Sequence, residues 1–327
     1  MKRFASALCI LGIAGLWPGP LPAQTTPAAS RASKIILDTD IGDDIDDAFA
    51  LALALRSPEI EVIGITTAWG DTSLRAKLAN RLVKDVGTRP IPVRAGVRTE
   101  SKSNFTQNQW ASEGAAAPVS PDAVEFLLEQ ARKSPGEITL IAIGPLTNIG
   151  AAIDRDADGF RKFQRVVLMG GSIRRGYGDL GYAPDRGPEP EYNIYCDVKA
   201  ARKLLGSGVP IFMMPLDSTQ LLLDENKRTM LFSTGSPLTN ALAALYFQWV
   251  RGTRTPTATL FDAMAVAYAV KPELCSVEPM HITVDERGMT KPATGAPNAS
   301  ACLSSDPEKF FHFLLPRLME STARSAN

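Results

Sequence analysis

Residues 34–51 read Lys34-Ile35-Ile36-Leu37-Asp38-Thr39-Asp40-Ile41-Gly42-Asp43-Asp44-Ile45-Asp46-Asp47-Ala48-Phe49-Ala50-Leu51. A short apolar run ends in acids, and an Ala/Leu-rich stretch follows at once. The run has the pattern of a strand buried on both faces, and Asp47 to Leu55 has the pattern of a helix. Asp38, Asp40, Asp43, Asp44, Asp46 and Asp47 crowd the junction. In open α/β sheets ligands bind at that carboxyl edge. So many carboxylates repel one another, and a hard divalent cation would relieve the repulsion. An all-oxygen donor set selects Ca²⁺ or Mg²⁺. Helix capping and the helix dipole account for one or two such acids, not for six. Asp46 and Asp47 are adjacent at the helix start and so point differently, which lets one bind metal while the other faces a substrate.

Outward from this stretch, strand and helix patterns alternate. Ile60 to Thr66, Ile138 to Ile143, Arg165 to Met169 and Val209 to Met214 read as buried strands. Thr72 to Asp85, Pro121 to Lys133, the stretch after Pro145, and Asp197 to Leu205 read as helices between them. Leu238 to Val250 and Phe261 to Val270 add apolar helices. Met280 to Val284 and Ala301 to Leu303 read as late strands, and Asp306 to Thr322 as a closing helix. This order predicts a single α/β domain with a mostly parallel open sheet, helices on both faces and a Rossmann-like core. Two stretches stand apart, polar Thr99 to Pro118 and glycine-rich Gly170 to Pro190. Loops of that length in a compact domain are usually functional.

The 327 residues carry 35 basic and 35 acidic side chains, a balance that argues against a nucleic-acid partner and for a small neutral ligand. Lys2 and Arg3 precede an apolar run, Phe4 to Trp17, too short to span a bilayer comfortably. Pro18, Gly19 and Pro20 break it, and Leu21-Pro22-Ala23 offers a cleavage site. The expectation is a signal peptide over residues 1–23, a linker over 24–33 and one domain over 34–327. The product is then periplasmic or secreted, with no membrane span. Cys196, Cys275 and Cys302 form no close pair, and each reads as a small buried apolar residue. In an oxidising compartment one disulfide is open to them, leaving one thiol unpaired.

Asp38-Thr39-Asp40 after an apolar strand also matches the start of a haloacid-dehalogenase-type phosphatase, but the helix-opening Asp46-Asp47 pair is foreign to that motif. The whole pattern resembles the nucleoside hydrolase family, which cleaves N-ribosides with a bound Ca²⁺. The resemblance rests on Asp38-Thr39-Asp40, Gly42 and Asp46-Asp47-Ala48. It continues through Gly64-Ile65-Thr66-Thr67 with Asp71, Gly144-Pro145-Leu146-Thr147-Asn148 and Met169-Gly170-Gly171. Pro190-Glu191-Tyr192-Asn193-Ile194-Tyr195 with Asp197, and Phe261-Asp262-Ala263, complete it.

The resemblance implies that Asp40, Asp47, Asp262 and the Ile143 carbonyl hold Ca²⁺. Asp46 would take a proton from a Ca²⁺-bound water. Asp71, Glu191 and Asn193 would hydrogen-bond the ribose, with Asp44 also facing the sugar. The loop is two residues longer than the commonest spacing, which leaves Asp44 as the alternative base; Asp46 is preferred because it adjoins Asp47 and Ala48. Taken alone, Asp262 before an apolar helix would read as an N-cap.

The chain departs from the family elsewhere too: the glycine-rich loop 170–190 is longer, and no clear asparagine precedes Glu191. Asn104 to Trp110 lacks the family's His-Gly segment, and Phe261 stands where a histidine often precedes the late aspartate. His281 and His312 read as structural, so no histidine is placed to protonate a leaving base. Stacking by Trp110 or Phe261 would instead favour a purine. The reading is a Ca²⁺-dependent nucleoside N-ribohydrolase, purine-leaning, that salvages exogenous nucleosides. A nucleoside-binding protein of the same fold with weak catalysis is the alternative, and a homo-oligomer, dimer or tetramer, is compatible with either.

Overall fold

The computed structural model describes residues 32–86, 89–101, 104–113, 120–180 and 186–320. The expected signal peptide lies outside the described residues, as does the expected linker up to residue 31. Ser33, placed in that linker, is the first residue of a strand.

In chain order the strands are β1 (Ser33–Thr39), β2 (Ile60–Thr67), β3 (Val93–Ala95), β4 (Ile138–Ala142), β5 (Arg165–Met169), β6 (Ile211–Met214), β7 (Leu222–Leu223), β8 (Ala258–Thr259), β9 (Val277–Met280), β10 (Ile282–Val284), β11 (Thr290–Pro292) and β12 (Ala299–Cys302). The helices are α1 (Asp46–Leu55), α2 (Thr72–Val86), α3 (Asn108–Ser112), α4 (Ala123–Lys133), α5 (Thr147–Arg155), α6 (Ala157–Phe160), α7 (Tyr192–Cys196), α8 (Val198–Leu205), α9 (Leu216–Thr219), α10 (Glu225–Phe232), α11 (Pro237–Thr253), α12 (Ala263–Val270) and α13 (Pro307–Met319).

Eight strands form one sheet in the order β3-β2-β1-β4-β5-β6-β12-β9. All are parallel except β9, which runs antiparallel to β12. The chain runs outward from β1 through β2 to β3, returns to the centre at β4, and then runs outward the other way. β1 and β4 are therefore neighbours whose connections leave in opposite directions. The crevice beyond their carboxyl ends is the switch point where open α/β sheets bind ligands.

Strand alternation decides which core each side chain joins. Ile35 and Leu37 of β1 pack with α1, α2, α11, α12 and α13, whereas Ile36 packs with α4, α5 and α8 on the opposite face. α1 is buried from Asp46 to Ala54 and α12 from Ala263 to Ala269, so neither has a polar face. Helices that are apolar all round belong inside a large core. These two pack against each other, and that contact sets the site.

Three sequence readings change. Met280 to Val284 is not one strand: β9 and β10 split at His281, and β10 pairs with β11 in a separate hairpin. The edge strand β3 lies in a proline-rich stretch that showed no strand pattern. Cys275 and Cys302 are buried as expected, but they are joined in a disulfide with Cα atoms 5.9 Å apart. Cys196 is the free cysteine among the described residues. No described helix is long and apolar enough to cross a membrane.

Candidate active site

The N-terminus of α1 carries Asp46 and Asp47, and Asp262 immediately precedes α12. Because α1 and α12 pack together, the three acids meet: each offers an oxygen within 4.8 Å of the others, and all three are buried. The Asp262 N–H donates to Asp46 Oδ2 at 3.3 Å. Asp262 makes no side-chain capping bond to α12, so the ordinary use of an acid at that position is absent. Asp47 accepts from the Thr39 hydroxyl. Asp40 stands beside this trio, pressed by the turn after β4: a Cβ on Gly144 would lie 2.8 Å from the Asp40 backbone nitrogen. The Ile143 N–H donates to the Asp38 carbonyl at 2.8 Å and fixes that turn to the end of β1.

Asp40, Asp46, Asp47, Asp262 and Ile143 line one cavity of about 330 Å³. Asp40, Asp43, Asp44, Asp46, Asp47 and Asp262 form its acidic side. Burial pushes the Asp46, Asp47 and Asp262 carboxyls well above the usual carboxylate range, and their mutual repulsion adds to this. Burial likewise pushes Asp40 up to about 7, although Arg75 opposes the shift. A buried group of hard oxygen donors without a cation among its lining residues fits a divalent ion with oxygen preference. Asp46, Asp47 and Asp262 bring their oxygens within 4.8 Å of one another, and Asp40 and Ile143 line the same cavity, so the ligands would come from this group.

The acidic loop is held from behind. Arg75 of α2 is buried; it donates to the carbonyls of Asp40, Ile41 and Trp69 and pairs with Asp43 at 2.8 Å. Gly42 has a φ of +127°, and a Cβ there would lie 2.2 Å from the Phe105 ring. The Thr106 hydroxyl donates to the Asp43 carbonyl at 2.7 Å, and the Gln107 amide to the Asp44 carbonyl at 2.6 Å. Part of the polar stretch Thr99 to Pro118 therefore clamps the loop. Asp38 is fully buried, accepts from Thr66 and Asn148, and does not line the cavity. An aspartate nucleophile for phosphate must reach substrate, so this placement argues against the phosphatase reading.

The rest of the lining comprises Ile143, Met169, Tyr177, Glu191, Tyr192, Asn193 and Phe261. Glu191 caps α7 through the N–H groups of Asn193 at 2.9 Å and Ile194 at 3.1 Å, and accepts from Gly171 at 2.9 Å. Burial nevertheless pushes it up to about 7. The glycine-rich loop is pinned by Asp217, which accepts from the N–H groups of Ile173 and Arg174 at 2.9 and 2.7 Å. That loop delivers Tyr177, which had no assigned role in the sequence. Its ring meets Phe261 edge-on with centroids 5.7 Å apart. The loop's length was the signal that could have found it.

Two expected substrate contacts lie elsewhere. Trp110 is buried beneath Arg81, whose guanidinium sits 4.0 Å from the ring centroid, and its backbone N–H donates to Gln248. It is a core residue at the α2–α11 boundary. Asp71 lies outside the cavity lining, 41% exposed, where it accepts from Leu74 at the start of α2 and faces Arg98 at 3.6 Å. His281 pairs with the Ala296 carbonyl at 2.8 Å and His312 lies on α13, both away from the cavity.

The sequence profile of the family described as inosine-uridine preferring nucleoside hydrolase matches residues 35–312. The chain is 29% identical to the pyrimidine-specific ribonucleoside hydrolase RihA of Citrobacter koseri, over 88% of this chain and 98% of that protein. A plant nucleoside hydrolase superposes with a TM-score of 0.77 at 26% identity, covering 88% of this chain and 99% of the other. The purine-preferring ribonucleoside hydrolase of Gardnerella vaginalis gives 0.73 at 26% identity, covering 88% and 98%. The chain therefore belongs to the inosine-uridine preferring nucleoside hydrolase family, hydrolases that cleave ribonucleosides.

Proposed function

We propose that the protein is a Ca²⁺-dependent nucleoside N-ribohydrolase, purine-leaning, that releases free base and ribose. The observation that carries this reading is one cavity lined by the Asp46, Asp47 and Asp262 cluster together with Glu191 and Asn193. Breaking a ribosyl C–N bond passes through an oxocarbenium-like state, as glycoside hydrolysis does. Carboxylates beside the ring stabilise the developing positive charge. A bound divalent cation would orient the sugar hydroxyls and lower the pKa of a water. Asp46 accepts the proton of the attacking water, and Asp44, the exposed member of the loop, faces the sugar. Glu191 and Asn193, in the same lining, bind ribose. Phe261 and Tyr177 present ring surface to the base, which supports the purine preference. Asp40, Asp47, Asp262 and the Ile143 carbonyl hold the ion in this reading, and Asp46 stays close enough to share it.

Export is part of the proposal. The Cys275–Cys302 disulfide supports it, because such bonds persist in oxidising compartments. The test incubates the protein with purine and pyrimidine nucleosides, with and without chelator. Free base and ribose formed only without chelator is the expected result. Binding without turnover would instead favour a nucleoside-binding role.

A further inference from the structure

We propose that this cavity favours N-ribosides whose leaving base already carries a positive charge, such as pyridinium or N7-alkylated purinium ribosides, over their neutral counterparts. The inference rests on the hydrolase reading above and names its substrate class.

Charge is the first support. Six aspartates and Glu191 line the cavity, and no Lys, Arg or His lines it among the described residues. Arg75 answers Asp43 from behind the loop, and a divalent cation would offset two further charges. The remaining negative field concentrates cations and repels anions.

The second support is a count of protons. The Tyr177 hydroxyl accepts from the Tyr192 N–H at 2.9 Å. The Asn193 amide is donated to the Met169 carbonyl at 3.2 Å and to its sulfur at 3.4 Å. Glu191 accepts from three backbone N–H groups, so both of its oxygens are engaged by the backbone. The lining thus holds acceptors for the water proton, and among the described residues no histidine, lysine or arginine stands in it to protonate a leaving base. Aromatic surface from Tyr177 and Phe261 is the third support, since ring faces attract cations.

The chemistry follows from where the electron pair goes. When the C1′–N bond of a neutral nucleoside breaks, the pair makes the base an anion, which must be protonated. In a cationic riboside the same pair neutralises the base, and no acid is needed. Water then supplies the oxygen that bonds C1′, and its surplus proton passes to Asp46 and on to solvent. Ribose, neutral base and one proton are the products.

The experiment compares 7-methylguanosine with guanosine, and nicotinamide riboside with uridine and inosine, at saturating Ca²⁺. The expected result is a kcat/KM about tenfold or more higher for the cationic member, with a lower KM. That KM advantage should shrink as salt rises from about 50 to about 500 mM, because the attraction is screened. Asp44→Asn should raise KM for 7-methylguanosine more than for guanosine. Neutral nucleosides cleaved as well as cationic ones would overturn the inference and leave the hydrolase reading standing. So would an advantage in kcat alone with equal, salt-independent KM, which reports only substrate reactivity. No turnover of any member would overturn both.

Discussion

Replacing Asp46 by asparagine separates repulsion, metal binding and base catalysis in one side chain. The amide keeps the size of the carboxylate and can still accept the Asp262 N–H, but it takes no proton from water. If Asp46 is the base, kcat should fall at least about 100-fold, or ~2.7 kcal/mol in barrier. The same substitution should stabilise the metal-free protein. Two unit charges 4.8 Å apart, the span of the Asp46, Asp47 and Asp262 oxygens, repel by about 3.5 kcal/mol at an effective dielectric of about 20. Partial protonation of these raised carboxyls relieves some of that, leaving a gain on the order of 2 kcal/mol, or roughly 3–8 °C in Tm. Thermal melts in chelator and in excess Ca²⁺, beside steady-state rates, measure all three effects. Asp44→Asn is the control and should mainly raise KM. A normal kcat for Asp46→Asn with a collapsed kcat for Asp44→Asn would move the base to Asp44. Recovery of the Asp46→Asn rate in excess Ca²⁺ would make Asp46 a ligand and no more. Normal rates in both variants would end the mechanism, and a lower Tm in chelator would refute the repulsion.

Stability of the chelated protein should fall as pH rises from about 4 to above 7, since Asp40 and Glu191 are raised from 3.8 and 4.5 to about 7 in the fold. Groups that hold protons when folded and release them when unfolded favour the fold only below that window, so melts across pH should slope downward, and Ca²⁺ should flatten the slope. Trp110→Ala should cost about 3–5 kcal/mol of stability, as large-to-small core changes do, yet leave KM within about twofold; a selective rise in KM would restore Trp110 to the site. Cys275→Ser with Cys302→Ser should lower stability by about 3.5 kcal/mol for a closed loop of 27 residues, read by denaturant titration against the reduced and oxidised parent; an unchanged midpoint would show that the bond contributes nothing.

What was legible in the sequence depended on whether a signal was local. β1, α1 and the aspartates between them share one run of residues, so period and charge revealed both the strand edge and its acids. Asp262 is different. Alone before α12, it reads as a cap, and only the packing of α12 on α1 turns it toward Asp46. Trp110 failed for the converse reason: an aromatic beside a polar loop reads the same whether it stacks on a base or on Arg81. Tyr177 was invisible because its loop has no period, and its position is set by contacts from Asp217, Thr290 and Glu189 that are distant in sequence. β3 has three residues, too few for alternation to register.

The arrangement also explains why the carboxylates tolerate one another at all. Two helices direct their N-termini at the same point, and the positive ends of their dipoles favour acids there. Arg75 is fully buried yet contributes its charge through Asp43 and through backbone carbonyls rather than by entering the cavity. It fixes the loop without neutralising the trio. Had a cation stood inside, as a lysine at Ile143 or Met169 would, it would compete with a divalent ion for the same oxygens. The fold thus supplies rigidity from one side and unneutralised charge on the other, a division that serves ion binding and, on the proposal above, discrimination by substrate charge.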